Sequence, residues 1–122
     1  MIVDASAVVS LLKREATAPF VQSALEDAPL LLMPSVTLTE VALAGLKNGR
    51  AATVIVGWIA ELGIEIVPVD EELASAAAEA RHRFPIRFGD AFVYALAKAR
   101  TLPVLTLDAE FAKTDVALVP LA

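Results

Sequence analysis

Four acidic residues stand where carboxylates are hard to account for as ordinary surface: Asp4, Glu40, Asp90 and Asp108. Asp4 ends the apolar run Ile2-Val3, and Asp108 directly follows the run Val104 to Leu107. In an open parallel sheet, ligands sit beyond the carboxyl ends of the strands. Glu40 has Val36, Leu43 and Ala44 at helical spacing, which sets it on or beside the apolar stripe of its own helix. Asp90 follows Gly89 at the head of an apolar segment. Each acid also has a plainer reading: Asp4 and Asp90 as helix N-caps, Glu40 as an edge residue reaching water, Asp108 as a turn former. Gathered together, four carboxylates would repel strongly, so a cation must join them or several must be protonated. The chain has no cysteine and one histidine, His82, so the ligands would be oxygens, which favours Mg²⁺ or Mn²⁺ over zinc. An oxygen-rich divalent site suits phosphodiester hydrolysis, because the ion activates water and neutralises charge on the phosphoryl group without a protein nucleophile.

The elements that must position these acids alternate in type. Apolar runs at Ile2-Val3, Leu30 to Met33, Ile64 to Val67, Val104 to Leu107 and Val116 to Val119 read as strands. Helical patterns cover Ala7 to Lys13, Ala18 to Glu26, Ser35 to Lys47, Ala51 to Leu62, Asp70 to Arg83 and Asp90 to Arg100. Ser35 is expected to N-cap its helix, with Asn48-Gly49 and Gly63 ending the third and fourth helices. Pro85 to Gly89 reads as a loop, and Asp108 to Lys113 as a short turn or helix. Continuously apolar strands between helices indicate an α/β fold, with a mainly parallel sheet covered on both faces. One helix is odd. Val54, Ile55, Trp58, Ile59 and Leu62 form one apolar face, yet the other carries Ala52, Thr53, Val56 and Ala60. A helix apolar all round is usually buried, so either neighbouring loops or a second chain should cover it.

Composition narrows the class further. The 122 residues suit a single domain over 1–122, and 57% hydrophobic content excludes disorder. Without cysteine there is no disulfide, zinc ribbon or thiol nucleophile. The most apolar stretch, Ala51 to Ala60, is about half the ~20 residues that a membrane-spanning helix needs. Asp4 and the lack of a basic flank argue against a signal peptide, so a cytoplasmic location with no membrane partner is expected. The net charge of −5 opposes nucleic-acid binding at first sight. With four acids counted as metal ligands it falls to −1, which is compatible with RNA without arguing for it.

These segments resemble the PIN-domain ribonucleases, most closely the toxins of VapBC-type toxin–antitoxin pairs. The resemblance is carried by Met1-Ile2-Val3-Asp4-Ala5-Ser6-Ala7, Thr39-Glu40, Gly89-Asp90-Ala91 with Tyr94-Ala95-Leu96-Ala97, and Leu105-Thr106-Leu107-Asp108 followed by Phe111, in the family's order along nearly the whole chain. It implies a PIN-like fold, a parallel sheet of about five strands flanked by helices. It further implies Mg²⁺ or Mn²⁺ on Asp4 and Asp90, with Glu40 and Asp108 completing an acidic pocket. Ser6 and Thr106 fall where the family often has a polar residue beside the site, and Asp115 lies where some relatives carry a further acid; its plainer reading is a solvated turn residue. The resemblance also implies an RNA substrate, a homodimer and a cognate antitoxin protein.

Other residues carry weaker signals. Arg81, Arg83 and Arg87 flank the loop before Asp90 and are candidates for RNA backbone contacts, although a charge cluster at a helix end is usually solvated surface. Trp58 and Tyr94 read as core or interface residues, and general-base use of His82 is not expected. An aspartyl-phosphate phosphatase also keeps an Asp at the end of its first strand, but commonly needs a second Asp at the place held here by Ser6. A PIN-like interaction module without activity is the non-enzymatic alternative, and retention of all four acids counts against it.

Overall fold

A computed structural model describes residues 1–121. Among these, four short strands form one parallel sheet in the order β3-β2-β1-β4, with β1 Ile2–Val3, β2 Leu32–Pro34, β3 Glu65–Val67 and β4 Val104–Leu105. Six helices connect and cover them: α1 Ala5–Leu12, α2 Ala18–Asp27, α3 Ser35–Lys47, α4 Ala52–Glu61, α5 Glu71–Arg83 and α6 Phe88–Arg100. A 3₁₀ turn, Ala109–Lys113, follows β4.

The period of two along each strand sorts side chains onto the two faces. Ile2, Leu32 and Val104 pack with α5 and α6, around Phe92, Leu96 and Phe111. Val3, Met33 and Leu105 pack on the other face with Val8, Val21, Val41, Ile55 and Ile59 from α1 to α4. Both faces are therefore dry, as the uninterrupted apolar runs require. The chain steps outward from β1 to β2 to β3, then returns across the sheet to place β4 on the far side of β1. That reversal makes β1/β4 the switch point, and Asp4 and Asp108 lie just past the carboxyl ends of these two strands.

Several boundaries differ from the sequence reading. The expected fifth strand, Val116 to Val119, is reduced to one bridge between Val104 and Leu118. Its ladder holds through Val104 N–H to Ala117 O and Val119 N–H to Val104 O, both 2.9 Å. Ahead of Val104, Leu102 N–H donates to Ala97 O at the end of α6, so the chain across from Val116 offers no ladder donor. Ser35 is the first residue of α3, after Pro34 at the N-cap, and its hydroxyl accepts from Val69 N–H instead of capping the helix. Helix α6 begins at Phe88, two residues ahead of expectation, so Asp90 lies within its first turn and Arg87 is the N-cap. Gly49 and Gly63, at φ 78° and 79°, end α3 and α4 where expected. On α4, Ile55 and Ile59 are buried, whereas Val54 and Val56 remain exposed among the described residues.

Candidate metal centre

The sheet edge gathers the four acids. Asp4 is 4% exposed and occupies the N-cap position of α1 in extended conformation, yet its side chain closes no capping hydrogen bond. Its Oδ2 instead accepts from Ser6 Oγ at 2.7 Å and from Thr106 Oγ1 at 2.8 Å. These two hydroxyls are themselves held: Ser6 Oγ accepts from Leu107 N–H and Thr106 Oγ1 from Asp108 N–H, each at 2.9 Å. Residues about a hundred positions apart in the chain thus fix one carboxyl group and tie the end of β4 to the end of β1. Burial raises the Asp4 pKa, and the Ser6 and Thr106 hydroxyls oppose that rise, with the nearby Ala5 and Ser6 amides acting in the same sense.

Asp90 is 6% exposed, and its Oδ2 has no hydrogen-bond partner among the described residues. Burial first, then the charges of Asp4, Asp108 and Glu40, push its pKa up to about 7, against a hydrogen bond from the Arg87 backbone. A buried carboxylate oxygen left unpaired is costly, and here three further acids act on it. Asp108 N-caps the 3₁₀ turn, accepting from Glu110 N–H at 2.9 Å, so its turn-forming role and its place beside Asp90 coexist.

Glu40 combines both of its readings. As a residue on α3 it is exposed, but its head reaches the first turn of α6. A Cβ built on Gly89 would stand 2.6 Å from Glu40 Oε1 and 2.8 Å from its Cδ and Oε2. Only glycine leaves room for that carboxyl group beside Asp90. Partial burial and the charge of Asp4 raise the Glu40 pKa, while the Arg87 guanidinium lowers it. The positive ends of α1 and α6 also face this region and favour negative charge.

Asp115 is placed differently. Its carboxylate accepts from the Tyr94 hydroxyl at 2.5 Å and pairs with Lys98 at 3.6 Å and Arg83 at 3.9 Å, which pins the C-terminal segment to α5 and α6. Tyr94 is core, as expected, and Trp58 is half-buried against the α1–α4 cluster.

The donor set suits a hard divalent cation, with only oxygens and an unpartnered buried one among them. As the side chains stand, no three acids among the described residues are close enough to close on one ion. The cup is open, and side-chain rotation would have to tighten it around a cation.

A parallel sheet whose switch point carries this acidic edge defines a class of protein, and the family model for the PIN domain matches residues 1–117. The chain belongs to the PIN-domain family. It is 33% identical over 131 aligned positions to "Ribonuclease VapC" of Mycolicibacterium smegmatis, covering 98% of this chain and 99% of that one. Among solved structures it resembles VapC20 of Mycobacterium tuberculosis, described as a Sarcin-Ricin loop cleaving toxin, with TM-score 0.82, 19% identity and 97% of each chain covered. It also resembles a chain of a toxin–antitoxin complex from Klebsiella pneumoniae, with TM-score 0.78, 19% identity, and 98% of this chain and 96% of that one covered.

Proposed function

We propose that this protein is a divalent-metal-dependent endoribonuclease acting as the toxin of a toxin–antitoxin pair. The observation that carries the proposal is the buried, unpartnered Asp90 Oδ2, pressed by the charges of Asp4, Asp108 and Glu40. The curated relative named a ribonuclease, matched from end to end, supports the choice of RNA. Asp4 and Asp90 would hold Mg²⁺ or Mn²⁺, with Glu40 and Asp108 completing the cup. Bound there, such an ion supplies charge stabilisation at the phosphoryl group and an acidified water. The chain's own residues prepare the place for it. Ser6 and Thr106 fix Asp4 in one orientation, Gly89 admits the Glu40 head, and Asp90, with its raised pKa, would have to give up its proton to serve as a ligand. Asp115, engaged by Tyr94, Lys98 and Arg83, has no part in this scheme.

Total RNA incubated with the protein should be cut at defined positions with Mg²⁺ or Mn²⁺ and left intact in EDTA. Cleavage undiminished by EDTA, or none with either ion, would defeat the proposal. Gly89→Ala tests the arrangement more finely. The added methyl displaces only the end of a flexible side chain, so the fold should melt within a few degrees of the parent. Cleavage should nevertheless fall about 10- to 100-fold, as expected for a displaced active-site group. Full activity in a folded Gly89→Ala variant would remove Glu40 from the site.

Protein partners fit the α3–α4 surface, where Leu43, Leu46, Val54 and Val56 are 45–59% exposed. Self-association into a homodimer is proposed, and an antitoxin is the second partner, by analogy with the similar chain solved in a toxin–antitoxin complex. Sedimentation at tens of micromolar should show the dimer; monomer alone would count against it.

A further inference from the structure

On the other side of the first turn of α6, a slot of about 740 Å³ opens between α5 and α6. It is lined by the buried Ala77 and Ala91, by Phe88 and Phe92, and by Arg81 and His82. Phe88 is 69% exposed, the most exposed of the large apolar side chains, at the position where α6 begins. Its ring rests edge-on against Phe92, with centroids 5.2 Å apart and planes at 68°, so its outer surface is a supported platform. No hydrophobic core explains the residue. It does not stand alone: with Phe92 and the alanines of the slot it makes one continuous apolar surface.

The surrounding charge identifies what the platform takes. Arg81 and His82 line the slot itself, and Arg87 stands one residue before Phe88, in a protein with net charge −5. A second copy seated on a two-fold axis through the mouth of this slot would bring the same cations against one another. A polynucleotide brings phosphates to the cations and a flat apolar face to the ring. We infer that the slot between α5 and α6 is a subsite for an unstacked nucleobase of single-stranded RNA, with Phe88 as its stacking platform and Arg81 at the adjoining phosphate. This deepens the nuclease reading and rests on it for the choice of RNA: Phe88 and Asp90, two residues apart, point to opposite sides of the start of α6, so a strand that reaches both the slot and the acidic cup passes over that helix end.

The test separates binding from cleavage. A fluorescent oligoadenylate of about ten nucleotides is titrated, with Mg²⁺ present, into the Asp90→Asn protein carrying Phe88, Phe88→Ala or Phe88→Trp; stacking tolerates any base, so the target sequence need not be known. Phe88→Ala should weaken binding about 5- to 100-fold, and Phe88→Trp should restore it, with thermal melts unchanged. Equal affinity for all three overturns the subsite, as does Phe88→Ala dissociating a dimer while RNA binding is untouched, which would assign the slot to a second copy. Binding that depends on Phe88, in a protein whose parent cuts no RNA with Mg²⁺ or Mn²⁺, keeps the subsite and defeats the nuclease reading. Cleavage by the parent without dependence of binding on Phe88 does the reverse. Neither binding nor cleavage defeats both.

Discussion

Asp90→Asn should lower metal-dependent RNA cleavage by about a thousand-fold or more, and its expression should no longer arrest growth. Asparagine keeps the size of the side chain and its backbone contact at Arg87 but removes a charge that a divalent ion would need. Asp4→Asn should behave alike for a related reason. The amide oxygen of asparagine can still accept the hydroxyls of Ser6 and Thr106, so the tie between β1 and β4 survives while the anionic ligand is lost. Both variants should retain the parental circular dichroism spectrum. The measurement is initial cleavage rate at saturating Mg²⁺, and a folded variant of either kind cutting at the parental rate would show that these carboxylates do not hold the catalytic ion.

Much of this geometry was legible before any coordinates. Ile2-Val3 and the run Val104 to Leu107 are apolar enough to read as buried strands, and acids that follow such strands emerge at one rim of a parallel sheet. The stops at Gly49 and Gly63 followed from residues that tolerate positive φ. What sequence periodicity could not supply was long-range contact. Nothing in the pattern around Glu40 announces that its head lies over Gly89, because that contact joins α3 to α6 across the fold. Local cap chemistry points to Asp90 as the start of α6, whereas the helix begins at Phe88, because Arg87 holds the N-cap position without a side-chain cap and Phe88 packs on Phe92. Asp115 is a candidate only through the family resemblance, and nothing local in the sequence shows that Tyr94, Arg83 and Lys98 engage its carboxylate. The fifth strand failed for a related reason. Leu102 N–H turns back to Ala97 O at the end of α6, a contact that periodicity does not show, and Val116 is left without a ladder partner.

The same acidic edge should make the metal-free protein lose stability as pH rises, and Asp90→Asn should cancel much of that loss. In the unfolded chain an aspartate titrates near 3.9, whereas in the fold Asp90 is pushed up to about 7. A carboxyl group with a raised pKa is more protonated folded than unfolded between those values, so its ionisation opposes folding. The contribution is least unfavourable below about pH 4, worsens as pH climbs, and levels off above about pH 7. At about 1.4 kcal/mol per pH unit, the parent in EDTA should lose about 2–3 kcal/mol between pH 5 and pH 8 through this group. Burial raises Asp4 and Glu40 in the same direction, which adds to the slope. Asp90→Asn removes the principal term, so in EDTA at pH 8 it should be the more stable protein, by a margin that shrinks toward pH 5. Mg²⁺ should reverse the order, because an ion that binds only the folded parent stabilises it by mass action while the variant gains little. Urea melts at the two pH values, with EDTA and with Mg²⁺, measure all of this in one set of curves. Parent and variant with parallel stability from pH 5 to pH 8, and no separate response to Mg²⁺, would mean that the four acids do not share one electrostatic site.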